Sequence, residues 1–133
     1  MTAPTPYLCL PGTARAALEF YADVFGGEAV VHDLAEFGRT DGPPEAVAHG
    51  YVEGGPVTVF ASDAVGDDGA FRSDGLMLAL LGTADSATLH RWFDALAEGG
   101  RVVDALQQRP WGASDGQVVD RFGLHWLVGY EPA

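Results

Sequence analysis

Residues 12–31 read GTARAALEFYADVFGGEAVV, and residues 82–103 read GTADSATLHRWFDALAEGGRVV. The two stretches share one order: a Gly-Thr-Ala start, an amphipathic run, a Gly-Gly pair and a Val-Val pair. A short apolar run precedes each stretch, and turn-rich sequence with further strand-like runs follows it. A supersecondary unit used twice explains this order, because two half-units bury a face that neither can bury alone. The repeat therefore predicts two βαβββ modules.

Each repeat begins with signals for a helix. Thr13 is predicted to cap the first helix, and either Asp85 or Ser86 the second. Glycine pairs at 26–27 and 99–100 supply the stops. The apolar residues of both helices fall at the spacing of one helical face: Ala14, Ala17, Leu18, Tyr21 and Phe25 in the first, Leu89, Trp92, Phe93 and Leu96 in the second.

Between and after the helices the hydrophobic period changes to two, which is typical of strands. The alternation covers residues 47–52, 57–62 and 124–129. Together with the helices, these strands predict an α+β fold in which the two modules form a curved mixed sheet with the helices on its convex side. The concave face of that sheet is where we expect a ligand to bind.

The domain organisation follows from length and from one turn-rich segment. A chain of 133 residues is long enough for one domain but too short for two independent ones, so we predict a single domain over residues 1–133. We predict a first module at about 5–62, a connector at 63–74 that is rich in Gly and Asp, and a second module at about 75–131.

Composition excludes several classes of partner. The chain has 19 acidic and 7 basic side chains and a net charge of −12, so it repels phosphate backbones and anionic membranes. No stretch approaches the roughly 18 consecutive apolar residues of a membrane span, and no signal peptide is recognised at the start. We therefore predict a cytoplasmic protein with no nucleic-acid or membrane partner. The single cysteine, Cys9, lies in an apolar run and is predicted to be a small buried side chain.

Two stretches resemble a known family. Residues 6–27, PYLCLPGTARAALEFYADVFGG, are similar to the start of PhnB-like proteins, and residues 111–128, WGASDGQVVDRFGLHWLV, are similar to their end. PhnB-like proteins belong to the vicinal oxygen chelate superfamily, with glyoxalase I, bleomycin-resistance proteins and extradiol dioxygenases. The resemblance implies the glyoxalase/bleomycin-resistance fold and a homodimer. The family also carries the name of a demethylubiquinone methyltransferase, but no glycine-rich nucleotide loop follows the first strand here.

The resemblance also bears on metal binding. Enzymes of the superfamily hold a divalent metal with one side chain from each of four places, which fall here at Pro6 or Tyr7, His49, Leu76 and Leu127. Only His49 has a suitable donor, and a shift of one or two residues at the last place brings in Trp126 or His125. We therefore expect neither the usual metal site nor any cofactor, and no catalytic residue is assigned.

The candidate ligand-binding residues are aromatic side chains and one histidine: Phe37, His49, Tyr51, Phe60, Trp111 and Trp126. Two interpretations stay open for His49, a buried or pocket-wall side chain and a ligand contact. Trp111 either closes a pocket or anchors its own glycine-rich loop. Asp120 and Arg121 are predicted to be structural, with Asp120 closing the turn into the last strand and Arg121 pairing at the surface.

Three functional hypotheses follow. The leading one is a metal-independent protein that binds a small apolar or aromatic molecule. The second is a metal-dependent lyase, isomerase or dioxygenase that uses His49, so whether the chain is an enzyme stays open. The third is a structural or regulatory dimer whose cavity is filled by its own side chains.

Overall fold

The computed structural model describes residues 3–65, 70–72 and 74–132. The chain divides between Phe71 and Arg72 into two compact units. The predicted connector at 63–74 lies partly outside the described residues, so the predicted module limits stay predictions.

The first unit has the order βαβββ, with a short 3-10 helix at Ala35–Phe37 between its second and third strands. Its elements are β1 (Tyr7–Leu10), α1 (Ala14–Phe25), β2 (Glu28–Asp33), β3 (Val47–Glu53) and β4 (Phe60–Asp63). The four strands form one sheet in the order β1-β4-β3-β2, with β1 parallel to β4 and the other pairs antiparallel.

The second unit repeats that order. Its elements are β5 (Leu78–Leu81), α2 (Ser86–Ala97), β6 (Arg101–Gln108), β7 (Ser114–Val119) and β8 (His125–Tyr130). The sheet order β5-β8-β7-β6, with β5 parallel to β8, matches that of the first unit. The predicted α+β fold of two βαβββ modules is confirmed, with one mixed four-stranded sheet in each module.

Each helix buries the apolar face that its spacing predicts. The buried side chains are Ala14, Ala17, Leu18, Tyr21 and Phe25 in α1 and Leu89, Trp92, Phe93 and Leu96 in α2. Burying each large member contributes about 1.5–3 kcal/mol. These two faces are the centres of the two cores.

The two helices are capped differently. Asp85 caps α2, since its Oδ1 accepts a hydrogen bond of 2.8 Å from the Thr88 amide. Thr13 stands at the start of α1 but makes no capping bond with its side chain. Instead Asp63, at the end of β4, accepts the Ala14 amide at 2.9 Å. The prediction that the Thr13 side chain caps α1 was wrong, because a carboxylate distant in sequence accepts an amide at the helix start instead.

The second glycine of each helix stop permits a close backbone approach. A Cβ on Gly27 would lie 2.5 Å from the Glu53 carbonyl oxygen, and one on Gly100 would lie 2.1 Å from that of Val119. The chain therefore turns from each helix directly onto its own sheet, which any side chain would prevent.

Cys9 is exposed, contrary to the prediction. In β1 the buried residues are Leu8 and Leu10, and strand alternation places Cys9 on the opposite face. Within the part of the chain that the structure describes, no helix is both long enough and apolar enough to cross a membrane.

Candidate functional site

The face of the first sheet that points away from α1 carries the candidate site. A Cβ on Gly50 would meet the Leu18 side chain at 2.5 Å, so Gly50 faces α1. His49 and Tyr51, its neighbours in β3, therefore face the other way. Strand alternation alone pairs these two residues on one face, but it does not say which face α1 covers.

Strand register completes a group that we call the aromatic face, formed by Tyr7, His49, Tyr51 and Phe60. Phe60 of β4 is the register partner of both Tyr7 in β1 and Tyr51 in β3. Three adjacent strands thus bring four ring-bearing side chains together, although they are far apart in sequence.

His49 lies at the centre of the aromatic face. Its ring centroid is 5.6 Å from those of Tyr7 and Phe60 and 5.7 Å from that of Tyr51. The Tyr7 ring stacks on it at an interplanar angle of 25°, whereas Tyr51 and Phe60 meet edge to face at 80°. Such contacts favour a fixed arrangement of the rings.

A hydrogen bond joins the two polar groups of this face. The Tyr7 hydroxyl lies 2.9 Å from Nδ1 of His49. In the part of the chain that the structure describes, Nε2 of His49 has no partner. Tyr7 remains 46% exposed, so the face is open within its own unit. One ring nitrogen is therefore held and the other is available.

Two further residues border the aromatic face at β2. The His32 ring lies 6.4 Å from that of Tyr51 and 6.1 Å from that of Phe37, which is 56% exposed. Nδ1 of His32 pairs with Oε2 of Glu36 at 2.8 Å. His32 lies opposite His49 in the β2–β3 register, a position that depends on strand pairing and that the sequence does not show.

The electrostatics of the aromatic face disfavour an anionic molecule. None of the four strands of the first sheet contains Lys or Arg. An anionic ligand would find no cationic partner on these strands, and the net charge of −12 repels it at long range.

Trp126 does not lie on an open face. It is 1% exposed, and its Nε1 donates to Oδ2 of Asp120 at 2.9 Å. Tyr130, on the same side of β8, bonds to His90 of α2 at 2.9 Å, so Trp126 packs beneath that helix. Trp126 was predicted to contact a ligand, but it lies in the core of the second unit.

Trp111 lies in the second unit and is 72% exposed. A cavity of about 300 Å³ adjoins it, lined also by Leu81, Ser114 and Tyr130. This exposure disfavours the alternative in which Trp111 anchors its loop, because most of the indole surface is in contact with water.

Arg109 holds the start of that loop. Its Nε donates to Asp115 at 2.7 Å and its Nη2 to Asp104 at 2.6 Å. Both carboxylates raise the pKa of the Arg109 guanidinium. The Arg109 amide also bonds to the Ala113 carbonyl at 2.7 Å, which closes the turn beneath Trp111.

Asp120 closes the turn into β8, as predicted. Its Oδ1 accepts the amides of Phe122 at 2.8 Å and Leu124 at 3.2 Å. Arg121 donates its Nε to the Glu98 carbonyl at 3.1 Å, so the end of α2 is tied to the same turn.

The residues present do not fit the metal of the superfamily. Of the four expected places, Pro6, Leu76 and Leu127 have no donor atom in their side chains, and the Tyr7 hydroxyl is bonded to His49. Among residues 3–65, 70–72 and 74–132, no group of three or more His, Cys, Asp and Glu side chains is placed to hold a metal ion. One imidazole does not make such a site.

Comparison of the sequence with known proteins adds two findings. A model of the Glyoxalase/Bleomycin resistance protein/Dioxygenase superfamily matches residues 9–128. Protein YjdN of Escherichia coli (strain K12) is 30% identical over 140 aligned residues, which cover 93% of this chain and 92% of that protein.

Solved structures agree with these matches. Protein PA1353 from Pseudomonas aeruginosa is 30% identical, with a TM-score of 0.79 over 100% of both chains. The PhnB protein from Bacillus cereus has a TM-score of 0.75 at 20% identity over 99% of this chain and 100% of that one, and this likeness concerns the fold alone.

Proposed function

The chain belongs to the glyoxalase/bleomycin resistance protein/dioxygenase superfamily, and within it we propose a metal-independent protein that binds a small aromatic or apolar molecule. The observation that supports this proposal is the aromatic face. Four rings lie on the open side of one sheet, with His49 and Phe60 each in contact with the other three, and a flat molecule can stack there.

Ring contacts set the scale of the binding energy. Each well-placed aromatic pair contributes about 0.5–1.5 kcal/mol beyond the burial of its area. Contact with Tyr51 and Phe60 together therefore contributes about 1–3 kcal/mol, in addition to about 25 cal/mol for each Å² of apolar area removed from water. A molecule with two fused rings is large enough to contact both side chains.

The rival hypothesis of a metal-dependent lyase, isomerase or dioxygenase has less support. It requires side-chain donors that converge on one ion, and three of the four places lack them. His49 supplies one imidazole to this hypothesis, and a single imidazole does not complete the ligand set of a divalent ion.

Titration with quinoline at pH 8, where this two-ring probe is neutral, tests the proposed function. In protein with ¹³C-labelled His and Tyr rings, we expect the signals of His49 and Tyr51 to shift, because a stacked ring changes the local magnetic field. Tyr51→Leu keeps an apolar side chain without a ring, and we expect it to weaken quinoline binding about 2–10-fold.

Tyr130→Leu in the second unit is the matched control and is expected to leave quinoline affinity unchanged. Circular dichroism melts would show that both variants fold. Equal weakening by the two variants, or no shift of the His49 signals at millimolar quinoline, would overturn the proposal.

Metal content separates the proposal from its rival. We expect elemental analysis of the purified protein to find no stoichiometric divalent metal, and a chelator to leave the melting temperature unchanged, because no coordination energy is lost. About one bound zinc, nickel, manganese or iron ion per chain would support the enzyme instead.

A further inference from the structure

We propose that Tyr7 orients His49 so that His49 donates a hydrogen bond to the ligand, and that the bound molecule is an aromatic compound with an uncharged acceptor atom, a ring nitrogen or a carbonyl oxygen. This inference rests on the proposed function and narrows it from aromatic molecules in general to one chemical class.

The first step concerns the direction of the hydrogen bond between Tyr7 and His49. The Tyr7 oxygen lies 2.9 Å from Nδ1 of His49, and this is the one hydrogen-bond partner of the Tyr7 hydroxyl among the described residues. A phenol O–H is a stronger donor than a neutral imidazole N–H, and an unprotonated imidazole nitrogen is a stronger acceptor than a phenol oxygen. The stronger donor and the stronger acceptor therefore pair, and Tyr7 donates.

The second step follows from the proton count of imidazole. A neutral ring carries one N–H, so a ring that accepts at Nδ1 must carry its proton on Nε2. Nε2 of His49 has no partner in the part of the chain that the structure describes. The aromatic face thus presents a single N–H group among its rings.

The third step identifies what this N–H group selects. A ligand stacked on Tyr51 or Phe60 gains a hydrogen bond to His49 only if its edge carries an acceptor. A purely donating edge, such as the N–H of indole, meets another donor at this position. The absence of Lys and Arg from the four strands disfavours a carboxylate as the acceptor, which leaves uncharged nitrogen or carbonyl oxygen.

Tyr7 is therefore a positioning residue that determines specificity through His49. Its role has a readout that needs no ligand. In long-range ¹H–¹⁵N spectra of ¹⁵N-histidine-labelled protein at pH 8, we expect His49 to carry its proton on Nε2 alone, with the Nδ1 signal displaced by the hydrogen bond. In Tyr7→Phe we expect that displacement to disappear and the Nδ1–H form to become populated.

The second unit offers a matched control. The Tyr130 hydroxyl lies 2.9 Å from Nε2 of His90, so Tyr130→Phe removes the same atom from an equivalent pair. We expect this variant to change the His90 signals and to leave those of His49 unaltered. A wild-type His49 that carries its proton on Nδ1 would overturn the inference at this first stage.

Two probes of the same shape test the ligand class. Quinoline replaces one C–H of naphthalene with an acceptor nitrogen, so the ratio of their affinities isolates the hydrogen bond from the stacking. We expect the preference for quinoline over naphthalene to fall about 2–10-fold in Tyr7→Phe and to stay unchanged in Tyr130→Phe.

The outcomes distinguish the two proposals. Binding of both probes with an affinity ratio that Tyr7→Phe does not change would overturn the acceptor specificity and leave the proposed function standing. Binding of neither probe would overturn the proposed function and the ligand class with it. The histidine spectra would still report the direction of the Tyr7–His49 bond in either case.

Discussion

The indole Nε1 of Trp126 donates a hydrogen bond of 2.9 Å to Oδ2 of Asp120, and both side chains are almost fully buried, at 1% and 3% exposure. The other oxygen of Asp120 accepts the amides of Phe122 and Leu124. One carboxylate therefore joins the turn before β8 to the largest side chain of that strand. This explains why Trp126 belongs to the core, although its strand position is compatible with a ligand contact.

The first prediction concerns the Asp120 carboxylate. Asp120→Ala removes the acceptor of three N–H donors, two of them buried, so we expect the free energy of unfolding to fall by about 3–5 kcal/mol. Asp120→Asn keeps one acceptor oxygen and is expected to cost less. Urea unfolding measures both variants, and a loss below about 1 kcal/mol in Asp120→Ala would contradict the structural role.

The second prediction concerns the three tryptophans. Trp111 is exposed, whereas Trp92 and Trp126 are buried at 4% and 1%. We expect Trp111→Phe to remove most of the emission that acrylamide quenches, with a stability change within about 0.5 kcal/mol. Trp92→Ala leaves a cavity under α2 and is expected to cost about 3–5 kcal/mol. Strong acrylamide quenching that persists in Trp111→Phe would count against this assignment.

The third prediction concerns the start of α1. Asp63 accepts the amides of Ala14 and Val47, each at 2.9 Å, and so ties β4 to the helix and to β3. We expect Asp63→Ala to lower the free energy of unfolding by about 1–3 kcal/mol. Thr13→Ala, at the helix start but without a capping bond, is expected to be near neutral. The reverse order in thermal melts would show that Thr13 is the cap after all.

The fourth prediction concerns pH. The hydrogen bond from Thr88 lowers the pKa of Asp85, because it favours the charged carboxylate in the folded state. The lowered pKa means that the Asp85 carboxylate stabilises the folded state. This stabilisation is fully present above the pKa of Asp in the unfolded chain, about 3.9, and is lost as the pH falls through the lower pKa of the folded state.

We therefore expect Asp85→Ala to lower the melting temperature at pH 7 and to differ less from wild type at pH 3. Ser86→Ala is the control, since Ser86 does not cap α2. A difference between Asp85→Ala and wild type that stays constant from pH 7 to pH 3 would exclude a contribution from the carboxylate charge.

The fifth prediction concerns assembly. The family resemblance implies a homodimer, and the net charge of −12 per chain opposes self-association most strongly at low ionic strength. We expect light scattering at physiological salt and micromolar concentration to report twice the mass of one chain. A mass of one chain under these conditions would contradict the homodimer.

The site was predictable in part. Strand period two places His49 and Tyr51 on one face, and both belong to the aromatic face. The sequence predicts no aromatic contact for Tyr7 or His32, because the contacts of both residues depend on strand register. Tyr7 and His49 are 42 positions apart, and strand pairing rather than local pattern brings them together.

The sequence by itself determined the architecture. Each half of the chain contains a helix with one apolar face, a Gly-Gly stop and strands of period two. These signals specify two βαβββ modules, because each is local and depends only on the geometry of helix and strand.

Only the tertiary structure decided which residues face outward and which are buried. Alternation divides a strand into two faces but does not mark the one that a helix covers, so Cys9 and Trp126 were assigned to the wrong sides. The predicted cap of α1 was wrong for a related reason, because Asp63, which accepts the Ala14 amide, lies in a strand far from α1 in sequence. Local periodicity does not say which face of a strand is buried, and packing between residues far apart in sequence decides it.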